Sequence, residues 1–234
     1  MVVPAYNEEE ILESFVRKSM RDMARVSDDF EIVLVNDGST DNTSEIAQKL
    51  AAEFPNLRLV DLERNLGTGK SILPGFAAAS KEIVFNNTVD AFFDTEDIPV
   101  MLPYLDTYDV VSGYRSDLSA NSLYQKVLTI GNYVLIRLLF CLRLKAYQTV
   151  QFHRKSFLDS ISIEAESSFI SPELLLKAHR AGKSIKEVKI KYHARLAGKA
   201  KGGNIKNVLR SLKDVLRLWF RWAILKRMHY AGKS

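Results

Sequence analysis

The stretch FEIVLVNDGSTDNT, residues 30–43, sets the interpretation of the whole sequence. Its first part, Phe30 to Val35, is a short and largely apolar run rich in branched side chains, and Asn-Asp-Gly follows at 36–38. That order predicts a buried strand that leads into a polar loop. Asp41 then stands where it caps a helix that we expect to run to about Phe54.

The same succession of apolar strand, polar loop and helix recurs along most of the chain. Helices of this length join parallel strands through right-handed crossovers, so the pattern predicts an α/β fold with a doubly wound, Rossmann-like sheet. Ligands of such sheets bind beyond the carboxyl ends of the strands. The predicted strands cover residues 1–3, 30–35, 57–62, 82–86, 108–113, 148–153 and 184–190. The predicted helices cover residues 8–25, 41–54, 70–80, 123–144, 172–181 and 205–228, and another starts after Asp97.

The composition excludes several classes of protein. With 234 residues, of which 47% are hydrophobic and 26% charged, the chain has enough apolar side chains for a core, which excludes a disordered or collagen-like protein. Its single cysteine, Cys141, excludes an intrachain disulfide scaffold and favours a reducing compartment. The chain lacks the roughly 18 uncharged apolar residues in a row that a spanning helix needs. The first residues lack the basic-then-apolar order of a signal peptide, so we do not expect secretion by that route.

The net charge of +5 is distributed very unevenly along the chain. From Lys183 onward there are fifteen Lys and Arg residues against two acidic residues, whereas the first 182 residues carry eighteen basic and 26 acidic ones. An acidic body with a strongly basic tail predicts that the tail meets an anionic surface.

The tail contains the clearest periodic pattern of the sequence, from Ile205 to Met228. At 100° per residue its basic side chains fall on one stripe and its apolar side chains on the opposite side, which predicts an amphipathic basic helix. We expect a main domain over residues 1–203 and a juxtamembrane helix over 204–234. Trp219 and Trp222 beside the arginines favour a membrane interface. A terminal helix packed on the core is the alternative, and a nucleic-acid site is disfavoured because the tail lacks a recognition motif.

The glycine-containing segment from Gly67 to Ser71 resembles the end of a phosphate-binding loop. A complete motif needs a glycine where Arg64 stands, and a dinucleotide fingerprint needs one where Ile72 stands. We therefore reject a P-loop ATPase and a dinucleotide-binding protein. The segment remains a candidate loop near a ligand phosphate, with Lys70 as its cation, or else a turn that caps the following helix.

Two loops at the carboxyl ends of predicted neighbouring strands combine an aromatic ring with carboxylates. They are PAYNEE at 4–9 and NDGSTDNT at 36–43. Carboxylates accept hydrogen bonds from base and ribose donors and an aromatic ring offers a stacking face, so the pair suits a nucleoside. Each loop taken alone has a second explanation as a helix cap.

The sequence resembles the large inverting family of nucleotide-sugar glycosyltransferases with the A-type fold. The resemblance covers nearly the whole chain, and its final part is similar to dolichol-phosphate mannose synthases and bacterial polyprenyl-phosphate glycosyltransferases. It rests on the segments VVPAYNEEE, VLVNDGSTDNT, RNLGTGKSILPGFAAAS, VDAFFDTEDIPVML, VVSGYR, SPELLLKAHRAGKSIKEV and HARLAGKAKGG.

The resemblance implies a role for several side chains near the donor. Asp90 would hold Mg²⁺ or Mn²⁺ on the diphosphate, because a hard cation with oxygen ligands offsets the charge that builds on the leaving group. The family's acidic triplet is incomplete here, since Thr88 or Phe92 takes the place of an acid and Asp94 or Glu96 would have to compensate. The implied nucleoside-binding residues are Pro4, Tyr6, Glu8 and Asp37.

Two features of the sequence predict that the sugar acceptor is a phosphate: a set of basic residues, and the absence of an acidic residue at the place where a catalytic base is expected. Relatives carry an aspartate before the Arg154-Lys155 pair, but this chain has no acid between Asp117 and Asp159. A phosphate monoester is mostly dianionic at pH 7 and attacks without a base, whereas a sugar hydroxyl needs one. The expected phosphate-holding groups are Arg115, Arg195 and Lys199, although a solvated loop would also explain the last two.

These observations together predict an inverting, metal-dependent hexosyltransferase that uses a polyprenyl or dolichyl phosphate. The predicted catalytic residues are Asp90, Arg115 and Glu173, the last having a second explanation as an ordinary first-turn helix glutamate. We expect a peripheral protein on the cytoplasmic face of a membrane, without a nucleic-acid partner. The alternatives are a glycan-extending transferase, a catalytically impaired nucleotide-binding relative, and a nucleic-acid-binding module.

Overall fold

The computed structural model of the chain describes residues 1–67, 69–89, 93–115, 123–190 and 205–231. The first three strands form a parallel sheet in the order β1, β2, β3. Their last residues, Ala5, Asn36 and Asp61, stand opposite one another in register. The carboxyl ends of these strands therefore meet at one edge. The strands are β1 (Val2–Ala5), β2 (Ile32–Asn36) and β3 (Leu57–Asp61).

The second group of strands continues this sheet from β1. A parallel bridge joins Val2 to Asn86, next to the end of β4, so the overall order is β3-β2-β1-β4-β6-β5-β7. This order reverses beside β1, and crevices at such reversals are the usual ligand sites. The predicted doubly wound and mostly parallel sheet is confirmed, with β6 as the antiparallel strand. The further strands are β4 (Ile83–Phe85), β5 (Val110–Tyr114), β6 (Gln151–Arg154) and β7 (Ile185–Lys189).

Helices cover both faces of the sheet because β2 is apolar on both of its faces. Alternate residues point to opposite faces of a strand, and Ile32 and Leu34 join one buried cluster while Val33 and Val35 join another. Continuous burial of this kind is typical of a parallel strand between two helical layers. The helices are α1 (Leu12–Ala24), α2 (Thr43–Glu53), α3 (Ile72–Ala78), α4 (Ile98–Met101), α5 (Leu123–Phe140), α6 (Lys155–Ser160), α7 (Ile170–Arg180) and α8 (Ile205–Ala231).

The two largest differences between predicted and observed helix boundaries are four residues each. We predict that the first helix starts at about Glu8, but α1 starts at Leu12, because the chain first turns at Asn7, with a φ of 53°, and contacts the loop after β2 through Glu8. We predicted that α5 runs to Leu144, but it ends at Phe140. Cys141 then adopts a left-handed conformation with φ of 58°, which ends a helix.

The last helix, α8, packs one side on the body of the protein and leaves apolar side chains exposed on another. Val215 and Leu218 are buried in the second core cluster. The ring of Trp222 contacts Phe140 of α5 edge to face, with 5.4 Å between ring centroids. Large apolar side chains at Leu209, Leu212, Leu216, Trp219 and Phe220 remain at least 37% exposed. Within the described ranges, no helix has both the length and the apolar character that crossing a bilayer requires.

Candidate functional site

The loops after β1 and β2 lie side by side, as the sequence predicted. The backbone N–H of Glu8 donates to Oγ1 of Thr43 at 2.8 Å, and that of Asn7 donates to Oγ of Ser39 at 3.1 Å. In the opposite direction, the backbone N–H of Thr40 donates to Oδ1 of Asn7 at 2.9 Å. Hydrogen bonds in both directions therefore join the two loops into one surface beside the point where the strand order reverses.

Three of the residues predicted to bind a nucleoside come from the first of these loops. Pro4 lies in β1, and Tyr6 and Glu8 follow directly after the strand; all three are half-buried. Between them Asn7 has a φ of 53°, a left-handed conformation that asparagine adopts more readily than most residues. This turn lets the chain leave the strand at once, which keeps Tyr6 and Glu8 at the edge of the sheet.

Asp37, the fourth of these residues, is buried. It holds the loop between β3 and α3, here called the third loop, against the loops after β1 and β2. Its carboxylate accepts from the backbone N–H of Leu66 at 2.6 Å and from that of Gly67 at 3.1 Å. Burial raises the pKa of Asp37, and these hydrogen bonds oppose the rise. The approach is close, because a Cβ atom at Gly38 would lie 2.5 Å from the carbonyl carbon of Arg64. Glycine is therefore required beside Asp37.

Lys70 follows this third loop and pairs with a segment distant in sequence. Its Nζ lies 3.0 Å from Oε1 of Glu166, and this contact lowers the pKa of the Glu166 carboxyl. A Cβ atom at Gly69 would lie 2.3 Å from the carbonyl oxygen of Ser167. The third loop thus contacts the loop after β2 on one side and the chain around Ser167 on the other.

Asp90 and Phe92 lie outside the described residues, but Thr88 lies inside them. The Oγ1 atom of Thr88 is buried and has no hydrogen-bond partner among the residues that the structure describes. The side chain of Asn87 donates to the carbonyl oxygen of Phe93 at 2.8 Å, which ties together the two ends of this loop. The oxygen of Thr88, together with the carboxylate that the sequence supplies at 90, would make an all-oxygen donor set. Mg²⁺ and Mn²⁺ prefer such a set.

A cluster of carboxylates contains the two acids expected to compensate for Thr88. Ligand oxygens of Asp22, Asp94 and Glu96 lie within 4.8 Å of one another. The ammonium group of Lys18 lies among them, 2.6 Å from both Asp22 and Asp94. The Lys18 ammonium group therefore already pairs with the carboxylates of this cluster, and we do not assign a metal to it.

Arg115 follows the carboxyl end of β5, on the same edge of the sheet as the three loops, and is half-buried. Arg195 and Lys199, the other two expected phosphate ligands, lie outside the described residues. Nζ of Lys145 lies 3.0 Å from the hydroxyl of Tyr114, the last residue of β5, and 4.1 Å from the centroid of its ring. Lys145 also lines an open cavity of about 450 Å³ together with Arg137, Arg143, Leu144 and Glu187.

Our sequence reasoning missed the group of cations that line this cavity, which are Arg137, Arg143 and Lys145. A signal exists in the segment from Cys141 to Ala146, where Leu142 and Leu144 are buried while Arg143 and Lys145 are exposed. That alternation is typical of an extended segment with one covered face, but we predict a helix as far as Leu144 from the sequence. The cations therefore looked like ordinary charges on a helix surface.

Glu173, predicted as catalytic, is completely buried on α7. It accepts from the backbone N–H of Ala165 at 2.7 Å and of Glu164 at 2.9 Å, and it pairs with Lys177 at 2.8 Å. Asp214 of α8, which our sequence reasoning did not consider, is also buried. It likewise accepts hydrogen bonds from backbone N–H groups, those of Glu166 and Ser167. Asp214 is the one acid in the α8 sequence, and that isolation is a signal of a specific contact.

Comparison with known proteins gives a consistent result at the level of sequence. The family described as Glycosyl transferase family 2 matches residues 1–159. The chain is 32% identical over 129 residues to the undecaprenyl-phosphate 4-deoxy-4-formamido-L-arabinose transferase of Pectobacterium atrosepticum, covering 54% of this chain and 39% of that protein. It is 28% identical over 225 residues to the dodecaprenyl-phosphate galacturonate synthase of Rhizobium johnstonii, covering 94% and 66%. The chain thus spans less than two thirds of the length of these curated relatives.

Comparison with solved structures supports the same fold. Glucosyl-3-phosphoglycerate synthase from Mycobacterium tuberculosis, solved with Mn²⁺, UDP and glucosyl-3-phosphoglycerate, superposes with a TM-score of 0.70 at 20% identity. The superposition covers 93% of this chain and 78% of that one. At this identity the likeness establishes the fold, which agrees with the Rossmann-like, A-type architecture expected from the sequence.

Proposed function

Because the chain belongs to glycosyl transferase family 2, we propose that it transfers a hexose from a nucleotide diphosphate sugar to a polyprenyl or dolichyl phosphate, with inversion. The observation that carries this proposal is the joining of three loops at the reversal of strand order, with Asp37 at their centre. The names of the sequence relatives, which include undecaprenyl-phosphate and dodecaprenyl-phosphate transferases, support the choice of acceptor.

The joined loops would bind the donor nucleotide. Tyr6 offers a ring face to the base, and Glu8 and Asp37 offer acceptors to base and ribose donors, while Pro4 fixes the end of β1. Lys70 lies two residues before α3. Its ammonium group would bind the diphosphate, either together with Glu166 or in place of that pairing. The carboxyl edge of the sheet thus supplies contacts for each part of a nucleoside diphosphate.

Asp90 would hold the divalent cation, Mg²⁺ or Mn²⁺, with the buried hydroxyl of Thr88 as a neighbouring oxygen. When bound, the cation neutralises charge on the departing diphosphate. The solved structural neighbour holds Mn²⁺ and UDP together, which supports this cofactor. A neutral hydroxyl is a weaker ligand than a carboxylate, so we expect weaker metal binding than two acids would give.

The acceptor phosphate would lie beyond the carboxyl end of β5, where positive charge is concentrated. Arg115, Arg195 and Lys199 are the proposed phosphate ligands, and Lys145, over the ring of Tyr114, lines a cavity with the further cations Arg137 and Arg143. The acceptor needs no general base, because its second pKa is about 6 and it is mostly dianionic at pH 7. Glu173 remains a prediction as a catalytic residue; its contacts in the structure are with backbone N–H groups and Lys177.

The basic tail would bring the protein to the acceptor. We propose that residues 1–203 form the catalytic domain and that residues 204–234 dock on an anionic membrane surface on the cytoplasmic side. The exposed apolar side chains of α8 support this placement, as do those of α5 at Val127, Ile130, Val134 and Leu138. Exposed apolar surface flanked by Lys and Arg is typical of interfacial helices.

A screen of sugar nucleotides tests the donor and metal together. UDP-sugars and GDP-sugars would be added to the protein with Mn²⁺, with Mg²⁺ or with EDTA, and thermal stability would be recorded. We expect one nucleotide class to stabilise the fold only with a metal, by about 2.7 kcal/mol at a hundredfold excess over its Kd. Stabilisation by no member of the panel would overturn the proposal, and metal-independent stabilisation would remove the cation from it.

A further inference from the structure

Asp214 places a buried carboxylate of α8 against the chain between α6 and α7. Its side chain is 5% exposed, and Oδ2 accepts from the backbone N–H of Glu166 at 2.9 Å and of Ser167 at 3.0 Å. The hydroxyl of Ser167 donates to the same oxygen at 2.7 Å. Residues 164–168, here called the bridging segment, are therefore fastened to α8 by three bonds to this oxygen, and Ser211, Arg217 and Arg221 of α8 add contacts with Ser167, Ser168 and Glu164.

The opposite side of the bridging segment contacts the loop before α3. The carbonyl oxygen of Ser167 lies so close to Gly69 that a side chain there has no room, and Glu166 pairs with Lys70 at 3.0 Å. Two neighbouring residues thus face α8 with their N–H groups and the third loop with a carbonyl group and a carboxylate. A shift of the bridging segment moves both contacts with the third loop.

The third loop, which the bridging segment contacts, is in turn hydrogen-bonded to Asp37, one of the residues proposed to bind the donor. The backbone N–H of Gly67 donates to Asp37 at 3.1 Å, and its carbonyl oxygen accepts from the N–H of Ser71 at 3.1 Å. Asp214 thus contacts Ser167, Ser167 contacts Gly69, and Gly67, two residues earlier in the same loop, contacts Asp37, which connects α8 to the centre of the site.

We propose that Asp214 is a positioning residue that holds the bridging segment against Gly69 and Lys70 and so sets the loop that receives the donor diphosphate. This inference rests on the proposed function for its effect on catalysis, but its structural step is independent of that function. Bonds from N–H groups to an ionised carboxylate are stronger than neutral ones, which suits Asp214 to fix the segment. The helix proposed to dock on the membrane, α8, would then also position the third loop.

Amide hydrogen exchange tests the structural step in the protein without ligands. Asp214→Asn weakens the anchor, and the matched control Val215→Ala disturbs the neighbouring buried position of α8 without touching these bonds. We expect Asp214→Asn to accelerate exchange at Glu166, Ser167, Gly67 and Ser71 by about tenfold, equivalent to about 1.4 kcal/mol. Faster exchange at Glu166 and Ser167, with Gly67 and Ser71 as slow as in Val215→Ala, would overturn the inference.

Steady-state kinetics of the full chain then test the consequence for the donor. We expect Asp214→Asn to raise KM for the sugar nucleotide about tenfold, with kcat and the KM for polyprenyl phosphate within about twofold. Asp214→Glu should recover part of the loss, and Val215→Ala should keep the wild-type KM even where its thermal stability is lower. A fall in kcat alone would contradict the assignment. Absence of transfer by the wild type would remove the proposed function and leave the exchange result to decide the positioning role.

Discussion

At the scale of single residues, the same carboxylate serves both the fold and the proposed chemistry. Asp37 accepts two backbone N–H groups from the loop after β3, and we also propose it as a nucleoside ligand because it lies at the carboxyl edge of the sheet. The hydroxyl of Ser71 also donates to this carboxylate, and each carboxylate oxygen has two acceptor sites, so one site is left for a ligand donor. Mutating Asp37 therefore changes stability and binding together. Cleaner tests use residues with a single role.

The metal assignment is tested by comparing two aspartates four residues apart. Asp90→Asn should reduce Mn²⁺-dependent binding of UDP or GDP by at least about tenfold, because an amide is a poorer cation ligand than a carboxylate. Asp94→Asn is the control, since Lys18 already neutralises that carboxylate. Calorimetric titration with and without Mn²⁺ measures both. Equal losses in the two variants, or none in Asp90→Asn, would remove the metal from position 90.

His153 gives a prediction for pH. Burial lowers its pKa to about 3, against about 6.5 when exposed, and its Nδ1 has no hydrogen-bond partner among the described residues. Between these values the unfolded chain binds a proton that the native chain does not, so stability falls as pH falls. The contribution is a slope of about 1.4 kcal/mol per pH unit between pH 6.5 and 3.

Urea unfolding of the wild type and of His153→Phe measures this slope. The phenyl ring retains the stacking on Phe157, whose ring centroid lies 5.9 Å away. We expect the variant to lose stability less steeply than the wild type between pH 6.5 and 4. Parallel curves for the two proteins would mean that His153 is protonated in the native state.

At the scale of elements, α8 has two different surfaces. One packs Val215 and Leu218 into the core and fastens the bridging segment through Asp214, and the other leaves Leu209 and Phe220 each 61% exposed. Deleting the helix would remove both surfaces, so a deletion does not distinguish an effect on docking from an effect on folding. Substitution of single residues on the exposed surface does distinguish them.

Docking by α8 is tested with Leu209→Asp and Phe220→Asp combined. The two positions are eleven residues apart, about three turns, so they lie on one side of the helix. We expect the double variant to bind vesicles containing phosphatidylglycerol at least about tenfold more weakly, with unchanged thermal stability. Val100→Asp, an exposed apolar position on α4, is the control. Co-sedimentation that is equal for all three proteins would contradict docking by α8.

The close contact of the third loop with the bridging segment predicts opposite effects for two glycines. Gly69→Ala should lower the free energy of unfolding by about 1–3 kcal/mol, because the added methyl group meets the backbone of Ser167. Gly131→Ala on α5, where no described atom lies within 4 Å of the new Cβ, should raise it by about 0.5–1 kcal/mol. Urea titration measures both, and equal changes would be evidence against the contact.

At the scale of the whole molecule, the fold could be predicted from the sequence because its signals are local. The apolar run of β2 and its Asn-Asp-Gly ending fix a buried strand and its loop without reference to the rest of the chain. The antiparallel direction of β6 could not be predicted, because it depends on pairing with β4 and β5. The partners of Asp214 could not be predicted either, since they are backbone N–H groups 47 and 48 residues away. Such partners leave no mark in the sequence.

The central claim is that a phosphate on a polyprenyl chain accepts the sugar. The direct measurement compares polyprenyl phosphate with the unphosphorylated polyprenol of the same length, each incubated with the protein, Mn²⁺ and labelled sugar nucleotide. We predict label in the lipid fraction with the phosphate alone, at a rate that rises as pH increases through about 6. Label on the polyprenol or on an added oligosaccharide, or release of free sugar only, would contradict the account.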